Sequence, residues 1–292
     1  MTSKTALRLP IPKLREGRFA LPDSCTQVTS SYIRAYTDEA LFAATGVRVA
    51  FTTRDGGVSR PPFDSLNLSP FIGDDEACVA RNKSLLCAAF GAQESLLIQP
   101  KQVHGARIVE CSHSAYVPQV AQEALEGADG VVVYCPEVSA LLCFADCVPV
   151  IIVEPGGCFA VVHAGWRGVD GRIAQQALEM LCARTQALPH ECNVYLGPHI
   201  RSCHFEVGPE VMNRFVSNFG LGCLADQGHV DLRNALEVQL LEAGALAERI
   251  CDMGTCTVCD GGEEFFSYRL TQGTCGRHGA FAVRVSSGTV GA

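Results

Sequence analysis

The residues of this chain best equipped for chemistry stand in its most apolar stretch. The segment SALLCFADCVPVIIVEPGGCFAVVHAGWRG, residues 139–168, sets Asp146 beside Cys147 and ends a hydrophobic run at His163. A carboxylate and a thiol between strand-like runs are costly to bury unless they are hydrogen-bonded, paired or bound to a metal. Another polar group, His104, follows the strand-like LIQPKQV. In α/β proteins chemistry gathers where strands hand over to loops, and His104, Cys147 and His163 all occupy such positions. Two imidazoles and one thiolate can hold a catalytic zinc with its fourth position open, and the same donors suit trigonal copper. Spacing alone does not bring them together. The chain has no compact ligand motif such as HExxH, and a strand histidine or cysteine commonly serves hydrogen bonding or packing.

A second set is cationic. HAGWRGVDGR puts Arg167 between a strand and a helix, a junction that presents free amides and a positive dipole end. FTTRDGG places Arg54 at another strand end, and CGRHG places Arg277 in a glycine-rich turn. Together they suit a phosphate or a similar anion, although a lone surface arginine is ordinarily just solvated. Neither GxxxxGK[ST] nor GxGxxG is present, so the usual nucleotide-phosphate loops are missing.

The elements that must position these groups follow from pattern and punctuation. Residues 1–30 are polar and proline-bearing, an arm by composition. Residues 48–59 alternate like a strand and end in Gly-Gly. Residues 74–91 read as a helix with acids in the first turn and Gly91 as its stop, and 94–110 as two strands about Pro100. The runs 128–134, 140–145, 148–154 and 158–164 are apolar throughout, as expected of one sheet buried on both faces. Helices are expected over 171–185, 208–220 and 232–246, a strand over 192–198, and a hairpin-like end over 265–285. No repeat or long linker interrupts them, so a single α/β domain is the simplest organisation.

Composition narrows the function. The 292 residues are 48% hydrophobic and 18% charged, with a formal charge of −8, enough to bury a large core. No block of Lys and Arg offers a footprint for nucleic acid. The start lacks the apolar core of a secretory signal, and no run reaches the roughly 18 apolar residues of a membrane span; a cytoplasmic protein is expected. The 16 cysteines are scattered through a chain able to build its own core, which favours reduced, buried thiols over a disulfide framework.

The segments FTTRDGGVS, LNLS, KQVHG, ADGVVV, ADCVPV, HAGWRG, LGPHI, FEVG and FFSYRLTQGTCGR occur in this order. Over about residues 48–285 the chain resembles the YfiH-like family, also called the polyphenol oxidase or laccase-domain family. That resemblance implies a layered α-β-β-α sandwich with mixed sheets over 48–292, preceded by an N-terminal arm over 1–47. It implies a metal site, usually zinc with copper as the alternative, at His104, Cys147 and His163, the residues that strand-end position also selects. Asp146 and Asp129 are the candidates to orient those ligands or fix the adjacent turns, and His104 or Cys147 could instead act directly as acid or nucleophile. The implied activity is phosphorolysis of adenosine and inosine to free base and ribose 1-phosphate, with S-methyl-5′-thioadenosine phosphorolysis and adenosine deamination beside it. The implied partners are therefore purine nucleosides and phosphate, the latter on Arg54, Arg167 and Arg277. A copper-dependent polyphenol oxidase is the second reading, although the chain lacks multiple HxH motifs. A non-catalytic metal-binding module is the third. Two features depart from the family: His204 in SCHFEVG, and a CxxC at Cys256 and Cys259 with no second CxxC or histidine pair nearby in sequence. Packing is the expectation for these cysteines, with a redox or metal role as the other reading.

Overall fold

A computed structural model describes residues 8–21, 30–226 and 228–285. In chain order the strands and helices are β1 (Arg15–Ala20), β2 (Tyr32–Thr37), α1 (Glu39–Thr45), β3 (Val47–Thr52), α2 (Glu76–Phe90), β4 (Leu97–Ile98), β5 (Ile108–Cys111), α3 (Val117–Leu125), β6 (Gly130–Val133), β7 (Ser139–Phe144), β8 (Val148–Val153), β9 (Phe159–Ala164), α4 (Trp166–Asp170), α5 (Ile173–Thr185), β10 (Asn193–Leu196), α6 (Pro209–Phe219), β11 (Leu224–Asp226), β12 (His229–Val230), α7 (Leu232–Glu242), β13 (Ile250–Asp252) and β14 (His278–Arg284). Local chemistry sets several ends. Asp75 caps α2 by accepting from the amides of Ala77 and Cys78, and Gly91 closes it in the left-handed region at φ 68°, as such stops require. Asp231 caps α7 through the amide of Asn234.

Two six-stranded mixed sheets carry the fold, ordered β1-β2-β3-β14-β7-β4 and β13-β10-β8-β9-β6-β5. Alternation along the strands explains the layering. In β8, Val148, Val150 and Ile152 face α5, α6 and α7. Ile151 and Val153 point the other way, to meet Val49, Phe51, Leu142 and Ala282 of the first sheet. The outer face of the first sheet is covered by Leu85, Leu86 and Phe90 of α2. The result is an α-β-β-α sandwich in which the inner strands are apolar on both faces because each face meets its own partner.

Three expectations are corrected. The four apolar runs do not share a sheet: β6, β8 and β9 lie together, whereas β7 belongs to the other. A continuous apolar run says that both faces are covered but not which strand lies alongside. The hairpin-like end is a single strand, β14, inserted between β3 and β7, because residues 265–277 are spent in turns. The arm over 1–47 is part of the domain where it is described: β1 and β2 extend the first sheet through β3, and Leu9 is buried in the core between the sheets. Residues 1–7 and 22–29 of that arm lie outside the described residues. Among the described residues no helix is long and apolar enough to cross a membrane.

The topology has one consequence for the polar residues. Both β4→β5 and β7→β8 leave the first sheet and enter the second. His104 sits in one of these crossings and Cys147 in the other, while His163 stands near the end of β9.

Two outcomes are expected. A Cβ on Gly197 would stand 2.5 Å from the buried Phe51 ring, so Gly197→Ala should cost about 1–3 kcal/mol by overpacking. An unchanged urea midpoint would contradict this. His278, fully buried at the start of β14, is pushed down to about 3 by burial and by the neighbouring Arg277 cation. The unfolded chain then takes up a proton near pH 6.5 that the folded one refuses. This part of the stability is complete above about pH 6.5 and is lost as pH falls toward 3. Urea titrations at several pH values should show a shallower acid decline in His278→Gln than in the parent.

Candidate metal centre and cavity

The site is built around a buried carboxylate. Asp129, at the entry to β6, is fully buried. Its Oδ1 accepts from the amide of His104 at 2.9 Å and faces Nδ1 of His163 at 2.7 Å. Its Oδ2 accepts from the amides of Gly105 at 2.7 Å and Val103 at 3.3 Å. Burial opposes ionisation, but the His163 imidazole and these amides hold Asp129 below the usual carboxylate range. The pairing also leaves Nε2 of His163 as the free ring nitrogen. Pairing through β6 and β9 fixes this geometry, since the amide of His163 donates to the carbonyl of Asp129 at 2.7 Å.

The crossing that carries His104 is locked a second way. Gln102 acts as a surrogate strand residue, its Oε1 accepting from the amide of Cys143 and its Nε2 donating to the carbonyl of Cys143, both at 2.8 Å. His104 itself adopts φ 60°, a left-handed conformation uncommon for a side chain of its size. Its ring meets that of His163 edge to face with centroids 4.9 Å apart.

Cys147 completes the group. Its sulfur and one nitrogen from each of His104 and His163 lie within 4.8 Å of one another. Burial would push the Cys147 thiol up, but the charges and hydrogen bonds of His163 and His104 bring it down to about 6. His163 is drawn up to about 9 against burial, by the Cys147 sulfur and by Asp129. Both shifts favour a thiolate beside a charged imidazole, and binding of a metal ion there would release the imidazole proton. Gly165 leaves the space for this: a Cβ there would stand 3.2 Å from Cys147 Sγ and 3.5 Å from His104 Cδ2. Three donors of this type with one side open fit a zinc ion that retains an exchangeable position, and Asp129 is the carboxylate that such histidine ligands characteristically carry.

Asp146 has a different task from orienting a ligand. It adopts φ 90°, and its carboxylate oxygens are engaged by other groups. Oδ1 accepts from the hydroxyls of Thr257 at 2.6 Å and Ser267 at 2.7 Å, and Oδ2 from the amide of Arg269 at 2.7 Å. It therefore ties the residue before the thiolate to the loops between β13 and β14.

The three donors open into a cavity of about 540 Å³. Phe71, Trp166, Phe205, Tyr268, Arg269 and Arg277 contribute to its lining. Phe71 and Tyr268 remain 50% and 53% exposed. Of the three arginines expected to share an anion, Arg277 alone is in the cavity lining. Arg277 lines the cavity, with NH1 donating to the carbonyls of Cys275 and Gly276. Arg54 is absent from the lining: its guanidinium donates to the carbonyls of Asp64 and Gly262, pairs with the Asp64 carboxylate and lies over the Phe266 ring. Arg167 is exposed with its guanidinium over the Trp166 ring, 4.2 Å from the centroid. Sequence pattern does not single out Arg269 or Gln102. Both lie inside recognised segments, FFSYRLTQG and KQVHG, but a polar residue in a loop motif does not announce which strand or cavity it will reach.

Comparison with known proteins agrees with this architecture. A sequence profile described as multi-copper polyphenol oxidoreductase laccase matches residues 48–285. The purine nucleoside phosphorylase YlmD of Geobacillus stearothermophilus is 33% identical over 276 residues, covering 90% of this chain and 98% of the relative. Adenosine deaminase RL5, from an unknown prokaryotic organism, is 32% identical over 235 residues, covering 77% and 89%. The crystal structure of YlmD from Geobacillus stearothermophilus superposes with a TM-score of 0.76 at 32% identity, over 83% of this chain and 93% of that one. With its sandwich shared and its matched residues running from β3 past β14, the chain belongs to the multi-copper polyphenol oxidoreductase laccase family.

Proposed function

We propose that this chain is a cytoplasmic purine nucleoside phosphorylase. It would cleave adenosine and inosine, with S-methyl-5′-thioadenosine as a further substrate, at a zinc site held by His104, Cys147 and His163. One observation carries the reading: an open-sided set of three donors stands in a cavity that also presents two half-exposed aromatic rings and an arginine. The naming of YlmD supports it. A purine offers flat apolar faces, which rings such as Phe71 and Tyr268 bind by stacking. Arg277 supplies the fixed positive charge for phosphate, and Arg269, in the same lining, adds a second.

In phosphorolysis a phosphate oxygen forms the bond to C1′ as the bond from C1′ to the base nitrogen breaks, and the bonding pair leaves with the purine. Charge therefore builds on the base while the ribose gains oxocarbenium character. The chain must hold phosphate against C1′ and deliver a proton to the departing base. His104, exposed and adjacent to His163, is our candidate for that proton in the alternative in which it acts directly as acid rather than as a metal ligand. Asp129 is a positioning residue that fixes the His163 ring and the backbone of the 103–105 turn together. A bound zinc supplies Lewis acidity toward a substrate oxygen or an activated water.

Deamination of adenosine is a second activity of the same site, favoured by the name of RL5 and by the open side of the donor set. A copper polyphenol oxidase is the reading suggested by the family's description; the His₂Cys donors accommodate copper, but one such set is less than a multicopper centre requires.

The deciding experiment incubates purified protein with adenosine, with and without phosphate, and separates the products. Adenine appearing only with phosphate, and lost in Cys147→Ala, is the expected result. Inosine formed without phosphate would assign deamination, and neither product would overturn the purine reading. Asp129→Asn should weaken zinc binding about 10- to 100-fold, measured by competition with a chromogenic chelator. Unchanged affinity there would remove Asp129 from its positioning role.

A further inference from the structure

Away from the three-donor site, the loop after β10 and the turn after β13 bring four ligand-type side chains together. Cys203 and His204 come from the first, Cys256 and Cys259 from the second, and their donor atoms all lie within 4.8 Å of one another. Cys203 Sγ and Cys259 Sγ are 3.6 Å apart. Nδ1 of His204 lies 3.2 Å from Cys203 Sγ, 3.4 Å from Cys259 Sγ and 3.8 Å from Cys256 Sγ. A tetrahedral zinc with Zn–S of about 2.3 Å and Zn–N of about 2.0–2.1 Å needs edges of about 3.8 Å between sulfurs and about 3.6 Å between sulfur and nitrogen. The separations agree with that figure to a few tenths of an ångström, and they are far beyond the roughly 2.05 Å of a disulfide.

We propose that Cys203, His204, Cys256 and Cys259 bind a second zinc ion, in a closed structural site. The CxxC turn is shaped for it. The amide of Arg201 points at Cys256 Sγ at 3.5 Å, and the amides of Val258 and Cys259 face the same sulfur, so the turn places donors around a thiolate. Packing, the expectation from sequence, does not describe Cys203 and Cys259, which are exposed. Three thiols cannot all pair as disulfides, whereas three thiolates and one imidazole complete a structural coordination shell. The contrast with the first site is chemical: three protein donors leave a position for substrate, and four leave none.

The ion would clamp the two loops that form one wall of the cavity. Phe205 follows His204 directly and lines the cavity. Arg269 also lines it, and its guanidinium donates to the carbonyl of His204. Thr257, inside the CxxC, donates to Asp146 beside the catalytic-site thiolate. Closing the zinc site therefore joins segments far apart in sequence, His204 and Cys256 being 52 residues apart, and holds the wall against the neighbour of Cys147.

The test uses the full-length Cys147→Ala protein, whose first site has lost its thiolate. Metal analysis after purification should find one zinc equivalent retained. Cobalt(II) exchanged into it should give the strong visible bands of tetrahedral cobalt and sulfur-to-cobalt charge transfer in the near ultraviolet. Adding Cys259→Ser, at an exposed position, should cut the charge-transfer intensity per bound cobalt by about a third, as expected for the loss of one of three thiolates, and lower zinc occupancy. His204→Ala, which leaves all three thiolates, should lower zinc retention and shift the visible cobalt bands while keeping the charge transfer. Zinc-free Cys147→Ala protein, cobalt bound without charge transfer, or a Cys203–Cys259 disulfide found by mass spectrometry would each overturn the proposal. These readouts do not use nucleoside turnover, so failure here is separable from failure of the phosphorylase reading.

Discussion

The carboxylate of Asp129 is the interaction on which the rest of the site depends. Burying an ion of this kind is prohibitively costly unless its lone pairs are filled, and here three backbone amides and one imidazole fill them. Those partners belong to two different structural units, the crossing that carries His104 and the end of β9. One buried charge thus sets the rotation of one imidazole and the backbone path of the other. Removing the charge would leave three amides and a ring nitrogen facing an empty interior, which is why the arrangement is held firmly even though His104 itself reaches solvent.

The sandwich supplies the frame in which that interaction acts. Because β7 and β8 lie in opposite sheets, the ADC turn spans the gap between layers, as does the KQVHG connection between β4 and β5. Two crossings at the same rim bring a sulfur and a nitrogen side by side without either strand having to bend. The side chains that secure the crossings, Gln102 on the backbone of Cys143 and Asp146 on Thr257 and Ser267, are polar groups working within the sandwich rim. They make the donor set rigid before any ligand arrives, and such preorganisation is what a catalytic constellation requires.

Much of this was legible in the residues. Apolar runs bounded by turn residues marked β6 to β9, and acids and glycines marked the ends of α2. Strand-end position selected His104, Cys147 and His163 before their convergence was visible. What the pattern could not supply was pairing. β14 and β3 lie at opposite ends of the matched region yet are neighbours, and no periodicity within either strand records that. The same blindness extends to the surroundings of the arginines and of the CxxC. Arg54 looked available because Gly262, 208 residues away, and Asp64, across a loop of ten, meet it only once the chain has folded, and Cys256 and Cys259 looked solitary because Cys203 and His204 reach them only through the packing of β10 beside β13.

The exposed rings at the cavity carry a thermodynamic consequence. Phe71 and Tyr268 each leave about half of their surface to water, an uncommon investment of apolar area beside a site that already contains charge. A flat ligand covering both would return that hydration water to the bulk. Its association should then carry a negative heat-capacity change, and its enthalpy should grow more favourable on warming.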